Sequence, residues 1–384
     1  MVVTVVSDVL GKSNNGVTIA AWNLIRYLQG HGHEVHVVCP DEERKGEPGF
    51  YVVPLRSFGP LNPVFKANGV RLAAPDQEIL KEAIDGADAV HIMLPFKLGK
   101  AAAKYADSQR IPVTAGFHMM AENVTAHIGL KNFRLMNREI YKYIHGFYKY
   151  CFAIHYPTRY LRLIYEDVAG PTNGYVISNG VNSCFHPIEV KRSRQFEGKY
   201  VIVFTGRYSK EKSHDVLIDG VNQSKYRDKI QLVFAGAGPR RDEIERYSER
   251  LPVKPVFRFF SREELVKLLN MADLYVHPAE IEAEGISCLE ALSSGLVPII
   301  SDSPRSATKE YAIDEKNLFR YNDPADLASK IDWWLEHPEE RAERGREYVA
   351  YAADRFDQDA CMAAREGMIE DAVHHIVRHA AKAR

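Results

Sequence analysis

Two glutamates separated by seven residues, Glu282 and Glu290, flank a glycine at the start of a predicted helix. The stretch reads His277-Pro278-Ala279-Glu280-Ile281-Glu282-Ala283-Glu284-Gly285-Ile286-Ser287-Cys288-Leu289-Glu290 and runs on to Gly295. Strand-type runs stand on both sides, Ala272-Asp273-Leu274-Tyr275-Val276 before it and Leu296-Val297-Pro298-Ile299-Ile300 after it. That is one βαβ unit with an acidic, glycine-bearing turn. The amides of Gly285, Ile286 and Ser287 fall at the helix start, where they lack intrahelical partners and point at any anion placed there. Carboxylates suit hydroxyls and amides suit phosphate, and a nucleotide sugar carries both. The same residues also read as an acidic surface loop capping an ordinary helix.

Transfer of a sugar from such a donor leaves a nucleoside diphosphate, whose growing charge must meet something cationic. The segment Gly206-Arg207-Tyr208-Ser209-Lys210-Glu211-Lys212 follows a predicted strand at 200–205. Arg207 can fork onto two phosphate oxygens, and Lys212 can act as a mobile point charge. A plain salt bridge to Glu211 is the competing reading. His118 stands just past a strand at 111–117, on the edge where open α/β sheets bind ligands. Gly16 ends the polar loop between strand 2–6 and a helix over 17–30, and either admits a phosphate or makes the turn. One DxD triplet, Asp357-Gln358-Asp359, lies among helical residues and not behind a strand, so no metal site is expected. A two-carboxylate hydrolase built on Glu282 and Glu290 leaves Arg207, Lys212 and the helix start unexplained.

The chain of 384 residues has room for about two domains. It is 46% hydrophobic and 26% charged, and its net charge of −1 gives no global attraction to nucleic acid. No run of about 18 apolar residues is present to span a bilayer. Five scattered cysteines (39, 151, 184, 288 and 361) without a CxxC pair suit a reduced cytoplasm. Strands and helices alternate twice, so the expected fold class is α/β with two doubly wound Rossmann-like domains facing a central cleft. The expected domains are 1–185 on the acceptor side and 199–354 on the nucleotide-sugar side. Residues 41–75 read as loop-rich, and polar residues 186–198 read as the linker. Segment 123–150 interleaves Lys131, Arg134, Arg138, Lys142 and Lys149 with aromatic residues. It reads either as a face for an anionic membrane surface or as a solvated helix with its aromatics in the core.

Together these residues resemble the GT-B nucleotide-sugar glycosyltransferases, specifically the retaining family four, with a soft likeness to the diacylglycerol glucosyltransferase branch. The likeness is firmest over 200–302. Glu282 and Glu290 resemble that family's E-x7-E signature, Gly206-Arg207 with Glu211-Lys212 its G-R-x3-E-K segment, and Asn179-Gly180-Val181-Asn182 its N-G-V-D. Asn15-Gly16-Val17 resembles its N-terminal glycine loop. The resemblance implies that Arg207 and Lys212 bind the donor diphosphate. It gives Glu282 the donor sugar, with help from Gly285, Ile286 and Ser287, and Glu290 the ribose. Gly16 would approach the phosphates or acceptor, and His118 the sugar. A C-terminal helix over 355–384 would pack back on the first domain. Two departures stand out: Glu284 replaces a residue usually apolar or aromatic, and Phe257-Arg258-Phe259-Phe260 lacks the usual glycine. The implied reaction is retaining, needs no metal or other cofactor, and moves a hexose, glucose from UDP-glucose, to a membrane lipid such as diacylglycerol. A polysaccharide or lipid-linked oligosaccharide acceptor keeps the same chemistry, and a binding module without turnover is the reading of another class. The expected location is cytoplasmic, peripheral at the inner membrane face.

Overall fold

A computed structural model of the chain describes residues 1–11, 16–57, 72–122 and 134–382. Asn15 of the glycine loop and the 123–133 part of the basic segment lie outside the described residues. The chain forms two compact units, Met1–Asn179 with Asp359–Arg384, and Gly180–Gln358.

The first unit holds β1 (Val2–Val6), α1 (Gly16–Gly30), β2 (Glu34–Cys39), β3 (Phe50–Val52), α2 (Gln77–Ile84), β4 (Ala89–Ile92) and α3 (Lys97–Ser108). It continues with β5 (Val113–Gly116), α4 (Arg134–Tyr148), β6 (Ala153–Tyr156), α5 (Arg159–Ala169) and β7 (Gly174–Val176). The sheet runs in the order β3-β2-β1-β4-β5-β6-β7 and its strands pair in parallel. Val3, Val5 and Val6 of β1 are fully buried, as are all four residues of β4. Burial on both faces is why these strands read as unbroken apolar runs instead of alternating ones. Strand β3 lies within the loop-rich stretch 41–75. It is three residues long between Pro48 and Pro54, and among the described residues it pairs with β2 alone at the sheet edge, where neighbouring prolines are tolerated.

Helix α4 answers the question raised by its aromatic residues. Tyr141, Ile144, Phe147 and Tyr148 are buried, and Tyr148 donates its hydroxyl hydrogen to the Gly116 carbonyl at 2.9 Å. The described aromatics are therefore mostly core, packed around Phe117, with Tyr143 the exposed exception.

The second unit holds β8 (Tyr200–Thr205), α6 (His214–Gln223), β9 (Ile230–Ala235), α7 (Arg241–Tyr247), β10 (Val256–Arg258), α8 (Arg262–Met271) and β11 (Leu274–His277). Then come β12 (Ile281–Glu282), α9 (Ile286–Ser293), β13 (Pro298–Ser301), β14 (Arg305–Ser306), β15 (Leu318–Phe319), α10 (Pro324–Glu336) and α11 (Pro338–Arg355). Its main sheet runs β10-β9-β8-β11-β13-β15, again with parallel pairs. Strand order reverses where β8 lies beside β11, so the loops leaving these two strands emerge side by side. In doubly wound sheets that reversal opens a crevice for ligands. Trp334 anchors the outer face, fully buried with its indole N–H on the Lys316 carbonyl at 3.0 Å.

Residues 186–198 are not a free linker. Ile188 N–H donates to Asn270 Oδ1 at 2.8 Å, Arg192 reaches Asp273 at 2.6 Å, and Phe196 is buried. The chain changes units at Asn179-Gly180 instead. The C-terminal helical run breaks at Phe356-Asp357, and α12 (Gln358–Lys382) follows, with Asp359 onward belonging to the first unit.

Gly180 explains the N-G-V-N stretch. Its φ is +76°, and a Cβ there would lie 2.6 Å from Gln358 Cα. Next to it, Val181 N–H bonds the Phe356 carbonyl at 2.7 Å and Asn182 bonds the Gln358 side chain at 3.0 Å. Gly180→Ala adds both left-handed strain and a backbone clash, and should destabilise the protein by about 2 kcal/mol. A urea-unfolding midpoint equal to that of the wild type would contradict this.

Candidate functional site

The Arg207 loop is held by backbone packing. Gly236 has no room for a side chain, since a Cβ would come within 2.0 Å of the Gly206 carbonyl oxygen. A Cβ at Gly238 would likewise press on Tyr208. Tyr208 N–H bonds the Ala237 carbonyl at 3.0 Å, and its buried phenol donates to the Phe234 carbonyl at 2.7 Å. Arg207 is thus presented outward between two anchored neighbours and is exposed. Glu211 accepts a hydrogen bond from the Ser209 hydroxyl at 2.5 Å. Lys212 ends a 3-10 turn before α6 and is turned inward, with its side chain 16% exposed.

The acidic loop meets it from β11. Glu280 N–H donates to the Glu211 carbonyl at 2.8 Å, which ties the loops after β8 and β11 together. Short strand β12 sets Glu282 opposite Ser306 of β14. Gly285 then heads α9 with φ +79°, and a Cβ there would lie 2.3 Å from Thr308 Cγ2 and 3.2 Å from Glu282 Cγ. The glycine is required both by the left-handed turn and by the approach of Glu282. The first intrahelical donor is Cys288 N–H to the Gly285 carbonyl at 2.8 Å, so the Ile286 and Ser287 amides precede the helical ladder.

A polar chain links these parts. The Lys212 ammonium forms an ion pair with Glu282 Oε2, and His277 Nε2 lies 3.3 Å from that same oxygen. His277 Nδ1 faces the Tyr275 hydroxyl at 3.3 Å, and that hydroxyl is 3.2 Å from Ser287 Oγ. A neutral imidazole accepts from the Tyr275 hydroxyl on Nδ1, while its buried Nε2 lies beside the Glu282 carboxylate without an aligned hydrogen bond. Burial pushes the His277 pKa down, against the upward pull of Glu282, which favours that neutral form. Burial alone would raise the Glu282 carboxyl, but the Lys212 charge and the His277 hydrogen bond outweigh it and hold it down at about 2. Glu290 lies one turn into α9. Burial pushes its carboxyl up to about 7 against the opposing Arg262 charge. The charges of Glu282 and Glu290 both act on the Tyr275 phenol.

Arg207, Lys212, Glu282, Gly285, Ile286, Ser287 and Glu290 thus belong to the loops and helix start at one sheet edge. Sequence reasoning missed Tyr275 and His277 as members. The signal was present: residues two apart on a strand point to the same side, and both end β11 just before the acidic loop. Glu284 is buried, and its carbonyl accepts the Tyr311 hydroxyl at 2.7 Å.

Gly16 and His118 belong to the first unit. Gly16 is the exposed first residue of α1. His118 folds back over Gly116, where a Cβ would lie 2.3 Å from His118 Nε2. Burial, reinforced by the Arg365 guanidinium, lowers the His118 pKa to about 3. Asp357 bridges to Val181 and Asp359 lies in the first turn of α12. Among the described residues no group of three or more ligating side chains is assembled for a metal.

Glu282→Gln leaves the Lys212 ammonium half-buried without its counter-ion. It should cost about 3 kcal/mol at pH 7. The folded Glu282 pKa of about 2 lies below its ordinary value of 4.5. Its stabilisation is therefore complete above pH 4.5 and is lost as pH falls toward 2. The gap between wild type and variant, followed by tryptophan fluorescence in urea, should narrow on acidification through that window. A gap that stays constant below pH 4.5 would refute the assignment.

Residues 186–349 match the family model Glycosyl transferases group 1, and residues 14–183 match Glycosyltransferase Family 4. The chain is 28% identical over 312 residues to a GDP-mannose-dependent alpha-mannosyltransferase of Corynebacterium glutamicum, covering 78% of this chain and 72% of that protein. It is 23% identical over 350 residues to an alpha-monoglucosyldiacylglycerol synthase of Acholeplasma laidlawii, covering 85% of this chain and 86% of that protein. The crystal structure of Anabaena HepE in complex with UDP and glucose has a TM-score of 0.74 at 16% identity, covering 96% of this chain and 99% of that one, and shares the fold. Two family models that between them take in most of the chain, together with the shared fold, place the protein among the group 1, family four glycosyltransferases of GT-B fold.

Proposed function

We propose that the chain transfers a hexose, glucose from UDP-glucose, to a membrane lipid acceptor such as diacylglycerol, with retention of anomeric configuration and without a metal. The observation that carries the reading is the cluster of Lys212, Glu282 and the amide-bearing start of α9 at the β8/β11 reversal. A carboxylate held ionised suits sugar hydroxyls. Arg207, Lys212 and the Ile286 and Ser287 amides suit a diphosphate whose charge grows as the glycosidic bond breaks. With fixed cations in this role, the donor phosphate itself assists deprotonation of the acceptor on the leaving-group face. Glu290, whose carboxyl is pushed up to about 7, is about half protonated at neutral pH and can donate to or accept from ribose hydroxyls.

The lipid acceptor is supported by the synthase of Acholeplasma laidlawii, whose name specifies a glucosyldiacylglycerol product and which aligns over most of both chains. The mannosyltransferase of Corynebacterium glutamicum supports GDP-mannose as the competing donor. No helix among the described residues is long and apolar enough to cross a membrane. The proposed setting is the cytoplasm, with peripheral contact at the inner membrane face.

The test is a panel of UDP- and GDP-sugars against diacylglycerol vesicles and soluble oligosaccharides, with and without EDTA. The expected result is UDP release and an α-glucolipid by NMR, unchanged by the chelator. A β-linked product, or activity abolished by EDTA and restored by a divalent metal, would overturn the proposed mechanism. Tight UDP binding with no turnover on any acceptor would favour a binding module. Arg207→Ala removes an exposed side chain, so the fold should persist while kcat/KM falls about 100-fold. An unchanged kcat/KM would remove Arg207 from the site.

A further inference from the structure

The first unit carries a cavity of about 530 Å3 against α3, whose walls include Lys97, Lys100, Lys104, Gln77 and Tyr143. The three lysines fall at i, i+3 and i+7 of one helix and so share a face. Among the described residues no carboxylate lines the cavity. Lys97, Lys100 and Lys104 form no ion pair or hydrogen bond through their ammonium groups among the described residues. Elsewhere the surface lysines Lys142, Lys225 and Lys267 each have an acidic partner.

This arrangement is unfavourable for the helix by itself. Like charges at helical spacing repel, and Lys97 puts a cation in the first turn, at the positive end of the helix dipole. Packing does not require the lysines either, because Leu98, Ala102, Ala103 and Ala106 supply the buried face of α3. Lys100 is directed across to α4, its Nζ 5.3 Å from the Tyr143 ring centroid. Tyr143 itself is 65% exposed, unlike its neighbours Tyr141 and Tyr148, and forms an aromatic rim beside the charges.

We propose that this cavity is a binding site for a phosphate ester. The ammonium groups of one helix face would meet the dianionic phosphate, and the Tyr143 ring the organic portion it is attached to. The cavity is larger than a bare phosphate needs and falls within the range of small-molecule sites, about 300–1,000 Å3. The same chemistry is offered by a phospholipid headgroup and by a soluble phosphate ester. The proposal stands apart from the donor site and does not depend on which sugar is transferred.

The test uses the full chain and a Lys97→Gln, Lys100→Gln, Lys104→Gln triple variant. A Lys225→Gln, Lys254→Gln, Lys267→Gln variant carries the same change in net charge elsewhere. Both are first checked for wild-type melting curves. Binding is read by sedimentation with phosphatidylcholine vesicles containing phosphatidic acid, and by calorimetry with glycerol phosphate. The cavity variant should lose at least about tenfold in binding while the control stays near wild type, since each lysine near an anionic surface counts separately. Selective loss with vesicles identifies the lipid headgroup as the source, and selective loss with glycerol phosphate identifies the soluble ester. Equal losses in the two triple variants would reduce the effect to net charge and overturn the site. Absence of binding of both probes by the wild type would overturn it as well.

Discussion

The second unit is organised around the Lys212–Glu282 ion pair, which joins two loops leaving neighbouring strands where strand order reverses. Topology alone brings the ends of β8 and β11 together. It does not dictate that the loops beyond them meet. The pair does so with charge, and the Glu280 to Glu211 backbone hydrogen bond does so beside it. A pair this enclosed has paid desolvation on both ions, and is stable only with further hydrogen bonds. The His277 ring lies against the pair, its Nε2 3.3 Å from Glu282 Oε2, and is itself held by Tyr275. Removing any member therefore disturbs a network, and its effect would not add simply to that of its neighbours.

The glycines of this region follow from the same constraint. Gly236 and Gly238 let the first loop lie backbone to backbone against the turn after β9, which fixes Arg207 while leaving its side chain outside. Gly285 lets α9 begin against Glu282 and Thr308. A methyl group at Gly236 or Gly238 would push on backbone, one at Gly206 on the Phe204 ring, and one at Gly285 on Thr308 and then Glu282. Glycine is thus the residue that allows charges and amides to converge at the spacing the site has.

Much of this was legible in the sequence, for identifiable physical reasons. Strands such as β1, β8 and β9 are buried on both faces and read as apolar runs. Their alternation with helices pointed to the doubly wound class. Glu282, Gly285 and Lys212 stood out because acid, glycine and base at helix starts are chemically distinctive. What was not legible depends on long-range placement. Lys212 and Glu282 lie 70 residues apart, and a salt bridge to Glu211, one residue away, was the local alternative. Residues 186–198 have the composition of a linker, yet Asn270 and Asp273 from the α8–β11 region capture them. Strand β3 is too short for periodicity to register. The aromatic residues of α4 had two readings because the sequence records that a helix is amphipathic without recording which face is covered.

The ion pair also bears on how a carboxylate so engaged could still take a ligand. Both contacts to Glu282, from Lys212 and from His277, converge on Oε2. An ionised carboxylate has about four acceptor positions on its two oxygens. Holding one oxygen from two sides fixes the plane of the group and leaves Oε1 for a hydroxyl. The same contacts keep the carboxylate ionised at neutral pH, so that it accepts and does not donate. Lys212 retains two of its three N–H donors beyond the pair, enough to share itself with an anion at the head of α9. The pair is therefore better understood as a preset orientation of two binding groups than as a lock that must open before either can act.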